Sequence, residues 1–389
     1  MTATAGKRGH YADEAPKSSD RRVSGGSLSQ RSSDGAELQG STMTGAERMR
    51  AACRLQPVDA TPVWFMRQAG RTLARYRALR EQYPILTLAK TPELCSRITL
   101  MPVEELGVDG AVLFADIMLP LEPMGVSLEI QPDLGPVIHA PIRDLSAVER
   151  LRPLEPSEGV PFVLQTIRGL RSDLSDGRAA IIGFSGAPFT LACYLIEGRP
   201  SRDYARAKAL MFGQPTVWAA LMDRLTDAMA AYLSAQAAAG ADVLQVFDSW
   251  IGSLSPTDYA RSVLPWMQRL FAALRGTGVP TIYFGTGNAS LLELMSAAGS
   301  DLMSVDWRVK LDDAWQRVGH DRGVQGNLDP VRPLAGWDAT QDGARDVLAR
   351  AEGRPGHIFN LGHGVMPETD PDVLKRLVDM VHTETAKSA

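Results

Sequence analysis

Between residues 62 and 364, short β-branched and aromatic runs alternate with longer polar segments of helical period. The runs are PVWFMRQ (62–68), GAVLFAD (110–116), AAIIGFSG (179–186), DVLQVFDS (242–249), PTIYFGTG (280–287), DLMSVDW (301–307), GVQGNLD (323–329) and HIFNLGHG (357–364). Strands that are apolar almost throughout are buried on both faces, which predicts a parallel sheet covered by helices. There are eight runs, the number at which such a sheet closes into a (β/α)8 barrel of the TIM type; an open doubly wound sheet is the alternative arrangement. Helical period is clearest at 203–239, 256–276 and 370–385. The stretch 118–160 is too long and proline-rich for a simple crossover, and its segments VSLEI and GPVIHAP predict a small hairpin inserted after the second strand.

Residues 1–42 are rich in Ser, Gly, Arg and Asp and poor in bulky apolar side chains, so they are expected to form a disordered tail ahead of one barrel domain at 43–389. No run of about 18 apolar residues exists to span a membrane. The N-terminus lacks the basic-then-apolar order of a secretory signal, so a cytoplasmic protein is expected. Cys53, Cys95 and Cys193 are far apart with no CxxC pair, against a disulfide framework or a thiolate metal site. A formal net charge of -4 gives no general attraction for nucleic acid or anionic membrane. Any anion site must therefore be local.

Such a site is suggested by MRQAGRTLARYRALR (66–80), with five arginines in one segment. In a barrel the strand ends converge on one face where active sites are built, and this segment follows the first strand. Arg67, Arg71 and Arg75 are four apart and would repel one another on a helix, a cost easier to understand if an anion neutralises them. Arginine suits a carboxylate because its planar fork gives two parallel hydrogen bonds. A solvated basic helix is the plainer alternative. Gly70 interrupts the helix, placing Arg67 and Arg71 in a loop at the mouth and leaving Arg75 and Arg77 toward solvent.

Other strand ends carry polar groups. Asp116 closes the second run, where it could accept an N–H from a ligand, join a metal or cap a helix. GFSGAPFTLACYLIEG (183–198) reads G-x-S-G around Ser185 rather than G-x-S-x-G, which argues against a serine hydrolase. Pro188 fits a first helical turn and sets Tyr194 about two turns in. FDSW puts Phe247, Asp248 and Ser249 at the end of the fourth run. NLGHG places His363 between two glycines, which favours an exposed position in a cleft.

Taken in order across residues 45–385, PVWFMRQAGRTL, GFSGAPFTLACYLIEG, FDSW, GNLDP and FNLGHGV resemble the uroporphyrinogen decarboxylase family. The resemblance implies a single (β/α)8 barrel, a homodimer with facing clefts, and removal of CO2 from four acetate side chains of uroporphyrinogen III, giving coproporphyrinogen III. It implies no cofactor and no metal. By family match, Arg67, Arg71, Arg80 and His363 bind substrate carboxylates and Asp116 accepts from the pyrrole N–H groups. Tyr194 and Ser249 contact acetate or propionate groups, and Phe247 packs on the macrocycle. The catalytic set implied is Asp116, Arg67 and Tyr194. Two departures stand out: Ala74-Arg75 replace the family's Pro-Glu pair, and Phe189 replaces a Trp. Two other readings compete, a zinc-dependent methyltransferase on the same barrel and a tetrapyrrole carrier without turnover.

Overall fold

The computed structural model describes residues 42–131 and 135–387. The expected tail therefore lies, apart from Thr42, outside the described residues. The first helix, Gly45–Cys53, is started by Thr44, whose side chain accepts from the Glu47 N–H while Glu47 reaches back to the Thr44 backbone.

The central sheet is parallel. Its strands are β1 (Gly110–Val112), β4 (Ala180–Gly186), β5 (Val243–Asp248), β6 (Thr281–Gly285), β7 (Leu302–Ser304), β8 (Gly323–Gln325) and β9 (His357–Ile358), hydrogen-bonded in that order. β2 (Leu128–Gln131) and β3 (Gly135–Ile138) form the separate antiparallel hairpin expected in the 118–160 insertion.

The first run, 62–68, is not a ladder strand. Only Val63 pairs, in parallel with Phe359. Pro62 has no N–H to give to a ladder, and the chain already turns where the Gln68 N–H donates to the Phe65 carbonyl (3.1 Å). That one residue nevertheless closes the barrel. On one side the Phe359 N–H donates to the Pro62 carbonyl (2.8 Å), and on the other the Asp109 N–H donates to the Val63 carbonyl (2.8 Å). The two sheet edges, β9 and β1, are thereby joined, and the open-sheet alternative falls.

Prolines also divide the expected helices. The 203–239 segment breaks at Gln214 into Ala205–Gly213 and Pro215–Ala239, and 256–276 becomes Pro256–Ser262 and Leu264–Leu274 with a short 3-10 turn. Proline is favoured in a first helical turn, where the N–H it lacks would be unpaired anyway.

Inside the barrel a polar layer crosses the strands. The buried Trp64 indole donates to Gln325 Oε1 (2.8 Å), and Gln325 Nε2 donates to Ser304 Oγ (2.9 Å) and Gln245 Oε1 (3.1 Å). Buried amides and hydroxyls hold only when paired, so this chain fixes the rotation of β5, β7 and β8 relative to the first segment. The strand ends above it inherit that registry.

Candidate active site

The arginine loop is shaped by what lies beneath it. Gln68 is fully buried; its Oε1 accepts from the Phe65 N–H (2.9 Å) and its Nε2 donates to the Gly110 carbonyl (2.7 Å), stapling the loop to β1. With Gln68 turned in, Arg67 is turned out, exposed, and held at a left-handed φ of 60°. A non-glycine residue in that region is strained by about 1–2 kcal/mol, and such strain gathers at functional sites.

The Arg67 charge acts on Asp116, Tyr194 and His363. Burial pushes the Asp116 carboxyl up, while the Met118 N–H it accepts (2.8 Å) and the Arg67 charge pull it back down. Burial likewise pushes the Tyr194 phenol well above its ordinary range, the Asp116 charge adds to that, and Arg67 opposes it. His363 moves the other way, to about 4, because burial and the neighbouring Arg67 disfavour its cation. Four predicted residues from three βα loops and one helix thus share one electrostatic neighbourhood.

The glycines beside His363 have a different purpose from the expected exposure. A Cβ on Gly362 would stand 2.4 Å from the Trp307 N, and one on Gly364 would stand 2.5 Å from Arg67 Cδ. Their absence lets the Trp307 backbone and the Arg67 side chain pack against the loop that carries His363, and His363 is half-buried rather than open.

Phe247 lies in an aromatic row, edge-on to Phe184 (5.4 Å) and Phe284 (5.8 Å), the latter next to His363 (6.1 Å). Ser249 follows at the end of β5 and is half-exposed. The next residue, Trp250, packs on Tyr194 at 4.0 Å. Arg71 and Arg80 gather instead about Tyr76, whose phenol they stabilise as an anion against its burial. Arg80 also donates to the Tyr83 carbonyl (2.6 Å).

Arg75 does not join them. Arg75 lies in the first turn of helix Ala74–Gln82, and its guanidinium pairs with Glu104 (2.7 Å) and Glu105 (3.3 Å) on helix Pro92–Leu106. Arg77 donates to the Arg71 and Thr72 carbonyls and braces the loop. Phe189, the other departure, is fully buried edge-on against Trp218 at 6.1 Å.

Two buried carboxylates at strand ends escaped the expected set. Asp248, pushed to about 6 by burial, accepts from Thr190 Oγ1 (2.7 Å) and the Tyr283 hydroxyl (2.9 Å). Asp306 accepts from the Gly287 N–H (2.5 Å), the Arg308 N–H (2.9 Å) and the Arg308 guanidinium (2.6 Å). Both stand at the ends of apolar runs, the one signal that could have marked them. Ser185, by contrast, is fully buried in β4 with an unpartnered hydroxyl, out of reach as a nucleophile. The three cysteines are buried and their thiols pushed up by burial, and among the described residues no group of three His, Cys, Asp or Glu side chains is placed to hold a metal.

A parallel α/β barrel with arginine, carboxylate, phenol and imidazole side chains at its strand ends has the architecture of a barrel enzyme, whose active site stands at that face. The uroporphyrinogen decarboxylase (URO-D) family model matches residues 44–384. The uroporphyrinogen decarboxylase of Sorangium cellulosum is 52% identical over 337 residues, covering 87% of this chain and 96% of that protein. That of Streptomyces coelicolor is 53% identical over 336 residues, covering 86% and 94%. The chain belongs to the uroporphyrinogen decarboxylase family. Among solved structures, a methyltransferase from Methanosarcina mazei shares the fold with a TM-score of 0.70 at 22% identity, covering 88% of this chain and 98% of that one. No helix among the described residues is long and apolar enough to cross a membrane.

Proposed function

We propose that this chain decarboxylates the four acetate side chains of uroporphyrinogen III to methyl groups, yielding coproporphyrinogen III, as a cytoplasmic homodimer that needs no cofactor. The observation that supports the reading is that Asp116, after β1, Arg67 and Tyr194 act on one another electrostatically. A substrate with eight carboxylates explains local cations in a chain of net charge -4. Arg67, Arg71, Arg80 and His363 would hold its carboxylates, Tyr194 and Ser249 its acetate or propionate arms, and Phe247 one face of the macrocycle.

The chemistry then follows from the ring. A pyrrole carbon takes a proton and becomes a cation conjugated with the acetate methylene. The bond to the carboxylate breaks, CO2 leaves, and its electron pair neutralises the ring. A second proton converts the exocyclic carbon to a methyl group, and loss of the first ring proton restores the pyrrole. The substrate serves as its own electron sink, a role many decarboxylases assign to a cofactor. Asp116, accepting from the central N–H groups, stabilises the positive charge as it develops.

His363 fits this role as a neutral donor. With its ring held near 4 it carries no charge at neutral pH, so the attraction at that corner comes from guanidinium groups that do not titrate. The carrier alternative lacks support, because the arginines and Asp116 are all present.

The test is an anaerobic incubation of the purified chain with uroporphyrinogen III, with no metal or cofactor added, followed by separation of oxidised products by carboxyl number. The seven-, six-, five- and four-carboxyl series is expected. Return of the eight-carboxyl compound alone, still bound, would move the reading to a carrier.

A further inference from the structure

We propose that Arg308, on the loop after β7, is a further substrate-binding residue that grips a carboxylate of the macrocycle together with His363. The proposal rests on the functional reading above and adds a cation that the arginine segment does not contain.

Four observations place it. First, Arg308 follows the C-terminal end of β7, on the face where the other site residues stand. Second, its guanidinium is fixed rather than free. It donates to the fully buried Asp306 (2.6 Å) and lies 3.9 Å over the Trp307 ring, an arrangement that fixes the plane of the guanidinium. Third, the side chain remains 48% exposed. Asp306 receives only one of its nitrogens, Nη1, so other N–H groups of the fork remain for a ligand. Fourth, Arg308 acts on His363: its charge, like that of Arg67, helps hold the imidazole neutral, and Trp307 packs edge-on to the same ring at 6.5 Å.

Arg67 and Arg308 both act on His363; Arg67 also acts on Asp116, the carboxylate proposed to meet the pyrrole N–H groups, and Arg308 is paired with Asp306. Asp306 is the one carboxylate among the groups that act on the imidazole, and three donors already occupy it. Arg67 has no ion pair among the described residues. Two guanidiniums thus act on one neutral imidazole, and the half-exposed Arg308 keeps N–H groups of its fork free for a ligand. A carboxylate seated at His363 would take one imidazole N–H and a charge-assisted bond from Arg308. Asp306 then acts as a positioning residue, aiming Arg308 from a site that water does not reach.

The test compares steady-state kinetics of the wild type, Arg308→Gln and Arg308→Lys on uroporphyrinogen III under anaerobic conditions. For Arg308→Gln, KM should rise roughly tenfold while kcat stays within about twofold, the pattern of lost uniform binding at a half-exposed charge-assisted bond. Arg308→Lys should recover part of the KM, because the charge returns without the fork. Should removal of the guanidinium unfold the chain by stranding Asp306, the double variant Asp306→Asn with Arg308→Gln removes both charges and is read in the same way. A KM within twofold of the wild type, or a fall in kcat alone, would reduce Arg308 to a structural partner of Asp306 and overturn the proposal. An inactive wild type would instead count against the functional reading. Equilibrium dialysis of the unconverted uroporphyrinogen would then read the Arg308 contact directly, with equal Kd for wild type and Arg308→Gln overturning it.

Discussion

Thr190 Oγ1 donates to the buried Asp248 carboxylate at 2.7 Å, and this bond ties helix Pro188–Glu197 to the end of β5. The helix carries Tyr194 one turn beyond Thr190, and the strand end carries Phe247 and Ser249. Tyr283 on β6 holds the other side of the same carboxylate at 2.9 Å. Three elements that present the mouth are thus indexed to one buried group, which has hydroxyl partners and, among the described residues, no paired cation.

That arrangement fixes the sign of a pH effect. Burial raises the Asp248 carboxyl from 3.8 to about 6, so the folded chain holds this proton more tightly than the unfolded chain does. The corresponding stability is fully present below the unfolded value and is lost as pH rises from about 4 to about 6. Asp248→Asn, which cannot ionise, should therefore gain on the wild type by up to a few kcal/mol between those limits and keep that gain at pH 8. Thermal unfolding of both proteins at pH 4.5 and pH 8 measures it; a difference in Tm that does not change with pH would contradict the assignment.

Arg75 should be dispensable for turnover. Its pairs with Glu104 and Glu105 are surface pairs, with the Arg75 side chain 44% exposed, and such pairs contribute about 0–1 kcal/mol. Arg75→Ala is expected to leave kcat and KM within about twofold and stability within about 1 kcal/mol. A tenfold rise in KM would place Arg75 in the mouth after all.

Gly364→Ala tests the close approach at His363. The new Cβ would meet Arg67 Cδ at 2.5 Å, so the guanidinium must move. Gly364 is not among the positive-φ residues, and the backbone there accepts alanine. Activity should fall by roughly tenfold or more, as displacing a positioned group by about 1 Å does, with Tm changed by only a few degrees. Unaltered kinetics would mean that the Arg67 position is not used.

The runs of β-branched residues made seven of the eight barrel segments legible, because a strand buried on both faces has to be apolar nearly throughout. The first segment was legible as apolar but not as one bridging residue, since Pro62 and the Gln68 staple act through partners more than 40 residues away. The mouth residues could be read from motif and strand end. Their partners could not: the Arg75 pairs reach helix Pro92–Leu106, and Asp248 and Asp306 are fixed by β6, helix Pro188–Glu197 and the loop after β6. The glycines around His363 predict exposure in the sequence, whereas in the fold they make room for Trp307 and Arg67. Sequence proximity indicates which residues share a loop; it does not indicate what folds against that loop.

The central claim is that Asp116 stabilises the pyrrole cation as it forms, and the most direct measurement is kcat for Asp116→Asn on uroporphyrinogen III. Asparagine keeps the size and the Met118 N–H acceptor while removing the charge. The account predicts a fall in kcat of about 10²–10³, the usual cost of losing one preorganised electrostatic contact, with KM within a few fold because the arginines remain. Full kcat in Asp116→Asn, with the same product series, would contradict it.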